Sequence, residues 1–217
     1  LRDLITATGE FTVEAWVAPA NVSQENAWIV GYAGGTMSRN FLMTQNLYDY
    51  DFYNRSSVTD DNGAGNPALS TDDDAEFAQA TLQHVVMTFD PINGRRIYVN
   101  GIYTGDVDAQ GGGILDSWNA SFSVVLGNST ALDAPWEGVM RMVAIHNRAL
   151  NEEQIIQNYD VGVGAKFYLL FSVSEILDRE GECHEGSGSD RVNYCYVAFE
   201  VSQFDASGYL FNTPFFI

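Results

Sequence analysis

Residues 94–105 of the chain are GRRIYVNGIYTG, and this stretch decides the fold class. The pair Asn100-Gly101 stands between two runs of β-forming residues. Asn and Gly accept the positive φ angles of a type I′ turn, which joins the strands of tight β-hairpins. The stretch therefore predicts an antiparallel hairpin and, with it, a chain built from strands.

The segments on either side of this hairpin carry the same kind of pattern. In FTVEAWV (residues 11–17), apolar residues alternate with Thr12, Glu14 and Trp16, which is the period of a strand. Further strand-like runs lie at residues 28–32, 40–55, 83–90, 121–128 and 136–147. Residues 56–80 are polar and rich in Asp, and they predict a long loop.

One helix is predicted at residues 151–159. Asn151 is its N-cap, Gln154 closes a capping box, and Leu150 with Ile155 forms a hydrophobic staple. We expect the helix to end near Tyr159, ahead of two glycines. Two more strand-like runs follow at residues 166–177 and 193–204, so the pattern predicts an antiparallel β-sandwich with one short helix and an additional C-terminal β segment.

Three motifs, EAWV (14–17), IYVNG (97–101) and NRALNEEQI (147–155), occur in the order seen in the laminin-G-like, concanavalin-A-like jelly-roll family. The chain resembles this family over about residues 4–161. The resemblance implies a jelly-roll domain at 1–163 and leaves 164–217 as a β segment of a second domain or an extension of the sandwich. Family members usually begin with another strand before the position of Leu4, which would contribute to a structural calcium site.

The charge of the chain excludes several classes of partner. Ten Lys and Arg stand against 29 Asp and Glu, a net charge of −19. Such a surface cannot neutralise phosphates or dock on an anionic membrane. No apolar run is long enough to insert into a membrane, and no signal segment opens the chain, so we interpret it as an internal piece of a longer polypeptide.

An enzymatic function finds little support in the motifs. Glucan hydrolases of this fold place paired carboxylates on one face of a strand, whereas Glu175 and Asp178, followed by Glu180, would fall on opposite faces. Asp49 and Asp51 do share a face, which fits a solvated strand or a cation site. Nucleophile and phosphate-binding motifs are missing from the sequence.

Calcium is the predicted cofactor, because it prefers clustered carboxylate and carbonyl oxygens. None of the acidic clusters follows EF-hand spacing, and simple solvation of charged loops is the alternative. The candidate ligands are Asp60, Asp61, Asp72, Asp106 and Asp108.

Cys183 and Cys195 bracket a polar, Gly-rich loop. In an oxidising compartment we expect them to form a disulfide, which would stabilise the chain by roughly 3 kcal/mol; free thiols are the alternative. Four sequons, at Asn21, Asn54, Asn119 and Asn128, permit glycosylation where the source has the machinery, and chance occurrence in an Asn- and Ser-rich sequence is the alternative.

Carbohydrate recognition uses aromatic rings that stack on sugar C–H faces, framed by amides and carboxylates. The available rings are those of Tyr48, Tyr50, Tyr53, Trp28, Trp118 and Trp136. The candidate ligands among them are Tyr48, Tyr50, Tyr53, Trp118 and Trp136, with Trp118 and Trp136 expected to be exposed in loops. The alternative is that these rings form the core. The sequence thus predicts a non-catalytic extracellular or cell-surface module that binds a glycan or a protein. The alternatives are a structural subunit, held by strand exchange with neighbouring copies, and, more remotely, a glycoside hydrolase.

Overall fold

The computed structural model describes residues 1–59, 63–173 and 197–199, which form two antiparallel sheets around a shared apolar core. The strands are β1 (Phe11–Pro19), β2 (Ala27–Gly35), β3 (Ser38–Asn46), β4 (Asp49–Asn54), β5 (Leu69–Ser70), β6 (Gln83–Asp90), β7 (Gly94–Val99), β8 (Ile102–Tyr103), β9 (Ser123–Leu126), β10 (Gly138–His146) and β11 (Val197–Phe199). The helices are α1 (Arg2–Thr8) and α2 (Glu152–Val173), with a single 3-10 turn at Asp73–Ala75.

The six-stranded sheet has the order β11-β10-β1-β6-β7-β8, and the five-stranded sheet has the order β5-β4-β3-β2-β9. Every strand pair is antiparallel, and several neighbours in space are far apart in sequence, as in a jelly roll. The predicted antiparallel β-sandwich is confirmed.

The hairpin that decided the fold class is present as expected. β7 and β8 pair through Val99 and Ile102, and the turn residues Asn100 and Gly101 have φ angles of 53° and 80°. These are the positive angles that a type I′ turn requires.

The core lies between the sheets and is centred on Phe11. As the alternation predicted, Phe11 and the residues two, four and six positions later point into it. The Phe11 ring lies 5.4 Å from that of Phe41 and 5.1 Å from that of Trp118, measured between ring centroids. Because Phe41 belongs to the opposite sheet, these contacts hold the two layers together.

Helix α2 covers the outer face of the six-stranded sheet. Its capping box is formed: the N–H of Gln154 donates to Asn151 Oδ1 at 2.9 Å, and the N–H of Asn151 donates to Gln154 Oε1 at 3.1 Å. Leu150 and Ile155 pack on strands β6 and β7 in one buried cluster. The helix therefore covers the part of this face around Val86 and Tyr98.

The first segment of α2 ends close to the predicted place, because Gly162 (φ 66°) interrupts the helix two residues beyond Asp160. A second helical segment then runs to Val173, so residues 166–173 are helical where a strand was expected. The run KFYLLFSV is apolar almost throughout, and such a run does not distinguish a strand from a buried helix.

Two further elements complete the description of the chain. Helix α1 was not predicted; it places Ile5, which is fully buried, in the core. β11 lies within the strand-like run 193–204 and pairs with β10 through Val197 and Ile145. The division into domains at residues 163 and 164 stays a prediction. In the part of the chain that the structure describes, no helix is long and apolar enough to cross a bilayer.

Candidate functional site

A bulge in β2 turns one tryptophan away from the core. Ile29 and Val30 are consecutive and both face the core, so the pairing with β3 shifts register between Trp28 and Val30. This places Trp28 on the outer face of the five-stranded sheet. Gly31 lies below it: a Cβ at that position would be 3.1 Å from the indole ring.

Arg39 and Tyr53 lie on the same outer face beside Trp28. The guanidinium carbon of Arg39 is 4.3 Å from the Tyr53 ring centroid and 6.0 Å from that of Trp28. Arg39 Nε donates to the Ala64 carbonyl at 2.8 Å, which fixes the position of the guanidinium. The three side chains therefore form one cation–π assembly that is anchored to the backbone.

This assembly forms the floor and one wall of a concave site of about 320 Å³. We call this site the outer cleft, and its main lining residues are Asn26, Trp28, Arg39, Tyr53, Asn66 and Asp133. Trp28 is 2% exposed, so it serves as floor, whereas Tyr53 is half-buried and presents part of its ring. The volume lies within the range of small-ligand sites in proteins.

Two carboxylates, Asp51 and Asp133, lie near the guanidinium of Arg39 at the cleft. Burial raises the pKa of the Tyr53 hydroxyl, Asp51 raises it further, and Arg39 lowers it by less. Asp51 is itself buried and accepts hydrogen bonds from Ser70 Oγ at 2.5 Å and Thr44 Oγ1 at 3.4 Å. Asp133 adds a second carboxylate at the exposed rim.

The chemistry available in the outer cleft is that of recognition. An apolar floor, a tyrosine, two amides and a carboxylate can stack against and hydrogen-bond a polar ligand. The lining residues include neither a nucleophile paired with a base nor two carboxylates open to a substrate.

Of the predicted aromatic ligands, the structure places only Tyr53 in the cleft. Tyr48 lies at the turn between β3 and β4 and is 41% exposed. Tyr50, Trp118 and Trp136 belong to the core, at 0%, 3% and 1% exposure. The expectation that Trp118 and Trp136 are exposed was wrong, because both rings pack into the core between the sheets.

Hydrogen bonds fix these buried rings in place. Trp118 Nε1 donates to the Arg55 carbonyl at 2.7 Å, Trp136 Nε1 to Gln45 Oε1 at 2.9 Å, and the Tyr50 hydroxyl to Gln83 Oε1 at 2.8 Å. An indole or phenol satisfied in this way inside a core is not available for a sugar.

Asp108, predicted as a calcium ligand, is instead the partner of Arg95. Arg95 Nε and Nη2 donate to its two carboxylate oxygens at 2.7 and 2.8 Å, and both side chains are 2% exposed. Burial raises the pKa of Asp108, but the hydrogen bonds and charge of Arg95 outweigh it and lower that pKa overall. With both oxygens engaged by Arg95, Asp108 does not fit the role of a calcium ligand.

The other predicted calcium ligands are scattered. Asp72 is exposed and caps the 3-10 turn through Asp74 N–H, and Asp106 is half-buried on the loop after β8. Asp60 and Asp61 lie outside the described residues, as do Cys183 and Cys195. Among the residues that are described, no group of three or more His, Cys, Asp or Glu side chains could hold a metal ion.

A second polar cluster lies under helix α2, closed off from solvent. Glu14 is 1% exposed, and the Nε2 atoms of His84 and His146 lie 3.2 and 3.4 Å from its carboxylate oxygens. Burial lowers the pKa of both histidines to about 3. They are therefore neutral at pH 7. Asn158 of α2 donates to Glu14 Oε2 at 2.9 Å, so this cluster ties the helix to the sheet.

Most residues of the outer cleft were not predicted from the sequence. Arg39, Asn26, Asn66 and Asp133 come from four separate loops and strand ends. Only the alternation of Asp49, Asp51 and Tyr53 along β4 indicated which face of that strand was polar. The other residues meet only through pairings between distant strands.

A sequence model of the concanavalin A-like lectin/glucanases superfamily matches residues 1–156. The comparison with curated proteins found no match.

Solved structures with the same fold include a protein of Bacteroides ovatus described as carbohydrate-binding, with 20% identity and a TM-score of 0.51 over 70% of this chain. This chain spans 41% of that protein. A Trypanosoma rangeli sialidase has 17% identity and a TM-score of 0.50 over 72% of this chain and 23% of its own. A structure reported for the interaction of botulinum neurotoxin type C with two ganglioside molecules has 13% identity and a TM-score of 0.50, over 70% and 35% of the two chains.

Proposed function

Because the chain belongs to the concanavalin A-like lectin/glucanase superfamily, we propose that it is a non-catalytic binding module that takes a glycan in the outer cleft. The observation that carries the proposal is the cleft itself. It combines the Trp28, Arg39 and Tyr53 assembly with amide and carboxylate groups at its rim.

A glycan fits this combination of groups better than a purely apolar ligand does. Sugars present C–H faces that pack on rings and hydroxyls that bond to amides and carboxylates. Met37, which is 61% exposed at the rim, adds adaptable apolar surface. The carbohydrate-binding protein of Bacteroides ovatus supports this assignment at the level of fold.

The carboxylates around the outer cleft support a non-catalytic role. Most glycosidases use two carboxyl groups that both reach the scissile bond, and the cleft lining holds one, that of Asp133. Glu14 is enclosed under α2, and Asp51 is 4% exposed and bonded to Ser70. Glu175, Asp178 and Glu180 lie outside the described residues.

The alternative of a structural subunit receives no support from β1. Strand exchange at Phe11–Val17 requires a free edge, but β1 pairs with β10 on one side and β6 on the other. We place the module outside the cell, as the proposed ligand implies. A calcium site at Asp60 and Asp61 and the Cys183–Cys195 disulfide both stay predictions.

A glycan array with three forms of the chain tests the proposal. We expect the wild-type chain to bind, Tyr53→Ala to lose binding, and Tyr48→Ala to retain it, because Tyr48 is an exposed tyrosine on the same hairpin outside the cleft. Urea unfolding of each variant checks that the fold is kept. Binding that survives Tyr53→Ala, or its absence from the wild-type chain with and without calcium, would refute the proposal.

A further inference from the structure

We propose that the outer cleft selects uncharged saccharides, and that Asp133 is the residue that receives their hydroxyl groups. This inference rests on the proposed function and specifies the class of ligand. It follows from the way Asp133 is held and from the balance of charge around the cleft.

Asp133 is positioned by a loop that is bonded in advance of any ligand. Ser129 Oγ donates to Asp133 Oδ1 at 2.5 Å. Asn128 Oδ1 accepts from the N–H groups of Ser129 and Ala134 at 2.8 and 3.0 Å, and Trp28 N–H donates to the Ala134 carbonyl at 3.1 Å. The loop is thus tied to the strand that carries the cleft floor.

Only one oxygen of Asp133 is used by this network. Oδ1 is engaged by Ser129, while Oδ2 receives no hydrogen bond from the residues that the structure describes. Asp133 is exposed and lines the cleft beside Ala134 and Trp28. A carboxylate oxygen fixed in this way can accept a hydrogen bond from a sugar hydroxyl without a large cost of ordering.

The charges nearby disfavour an anionic sugar. Two carboxylates, Asp51 and Asp133, stand near the cleft against the guanidinium of Arg39. Arg39 is engaged through Nε with Ala64 and through its guanidinium plane with Tyr53. The whole chain carries a net charge of −19. A uronate or sialic acid would therefore be repelled by the net charge at a distance and by the carboxylates in the cleft.

Matched pairs of probes test the inference: lactose against sialyllactose, and cellotetraose against tetragalacturonic acid. Affinities are measured by calorimetry for the wild-type chain, Asp133→Ala, Asp133→Asn and the control Asp116→Ala, an exposed aspartate outside the cleft lining. We expect a neutral probe to bind and its acidic partner to bind at least about tenfold more weakly.

The variants then identify the residue. Asp133→Ala should weaken the neutral probe roughly ten- to a hundredfold, the loss of a hydrogen bond to a charged group. Asp133→Asn should reduce the difference in affinity between the acidic and the neutral probe. Asp116→Ala should leave both affinities unchanged. An acidic probe bound more tightly, with binding lost in Tyr53→Ala, overturns the inference and keeps the proposed function. A neutral affinity unchanged in Asp133→Ala overturns it as well, and the absence of any binding that depends on Tyr53 overturns both.

Discussion

Replacing Asp108 by alanine should destabilise the fold by about 3–5 kcal/mol. Both partners of the Arg95–Asp108 pair are 2% exposed. Arg95 also donates through Nη1 to the carbonyls of Phe52 and Pro67, at 3.0 and 2.7 Å, so the guanidinium cannot leave without breaking contacts with the opposite sheet. Asp108→Ala would leave the buried guanidinium of Arg95 without its counter-charge.

Urea unfolding followed by far-UV circular dichroism measures this loss. With a slope of about 2 kcal/mol per molar urea, the midpoint should fall by roughly 2 M. Asp106→Ala, two residues away on the same loop, is the matched control and should change the free energy of unfolding by less than about 1 kcal/mol. The double variant Arg95→Met with Asp108→Leu should recover much of the loss, since it removes both charges together.

Two results would contradict this account. An Asp108→Ala variant within about 1 kcal/mol of the wild-type chain would mean that Arg95 finds another counter-charge or water. A midpoint shift of similar size caused by a calcium chelator on the wild-type chain, absent in Asp108→Ala, would instead make Asp108 a calcium ligand.

Three further predictions concern the buried histidines and two tryptophans. The pKa values of His84 and His146 are about 3 in the fold and near 6.5 when unfolded, so the unfolded chain binds more protons below pH 6.5. Stability should therefore fall between pH 7 and pH 5 by about 2 kcal/mol for each histidine in urea titrations, and a flat profile would refute the assignment. Gly31→Ala should displace the Trp28 ring, cost about 1–3 kcal/mol of stability and weaken glycan binding; unchanged binding would mean that the floor is adaptable. Trp136→Ala should lower the free energy of unfolding by about 3–5 kcal/mol, because the ring is buried. A variant that loses glycan binding but keeps its full stability would instead show that Trp136 is an exposed ligand contact.

Local signals predicted the parts of the fold that local chemistry determines. Asn100-Gly101 specified the hairpin, and the Asn151 and Gln154 side chains specified where α2 begins. Gly162 likewise marks the end of the first segment of α2. The helical segment beyond it was not predictable in the same way, because the apolar run after Gly162 suits either kind of element.

The site was harder to predict than the fold. Strict alternation would have placed one of Ile29 and Val30 outside, and only the bulge explains why Trp28 faces out. Trp136 follows a proline in a polar loop and was therefore predicted to be exposed. It is buried because its ring packs in the core, where Gln45, distant in sequence, accepts a hydrogen bond from the indole N–H. Such contacts depend on strand pairings that no short window of sequence contains.

The stacking under helix α2 gives the chain an internal optical probe. The rings of Trp16 and Tyr159 are nearly parallel, 5° apart at 5.9 Å, and Trp16 also stacks on His84 at 4.9 Å. Of the four tryptophans, Trp118 and Trp136 lie in the core and Trp28 in the cleft, so Trp16 alone reports on the seating of the helix. Near-ultraviolet dichroism and fluorescence quenching of Trp16 should follow the release of α2 separately from the unfolding of the sandwich.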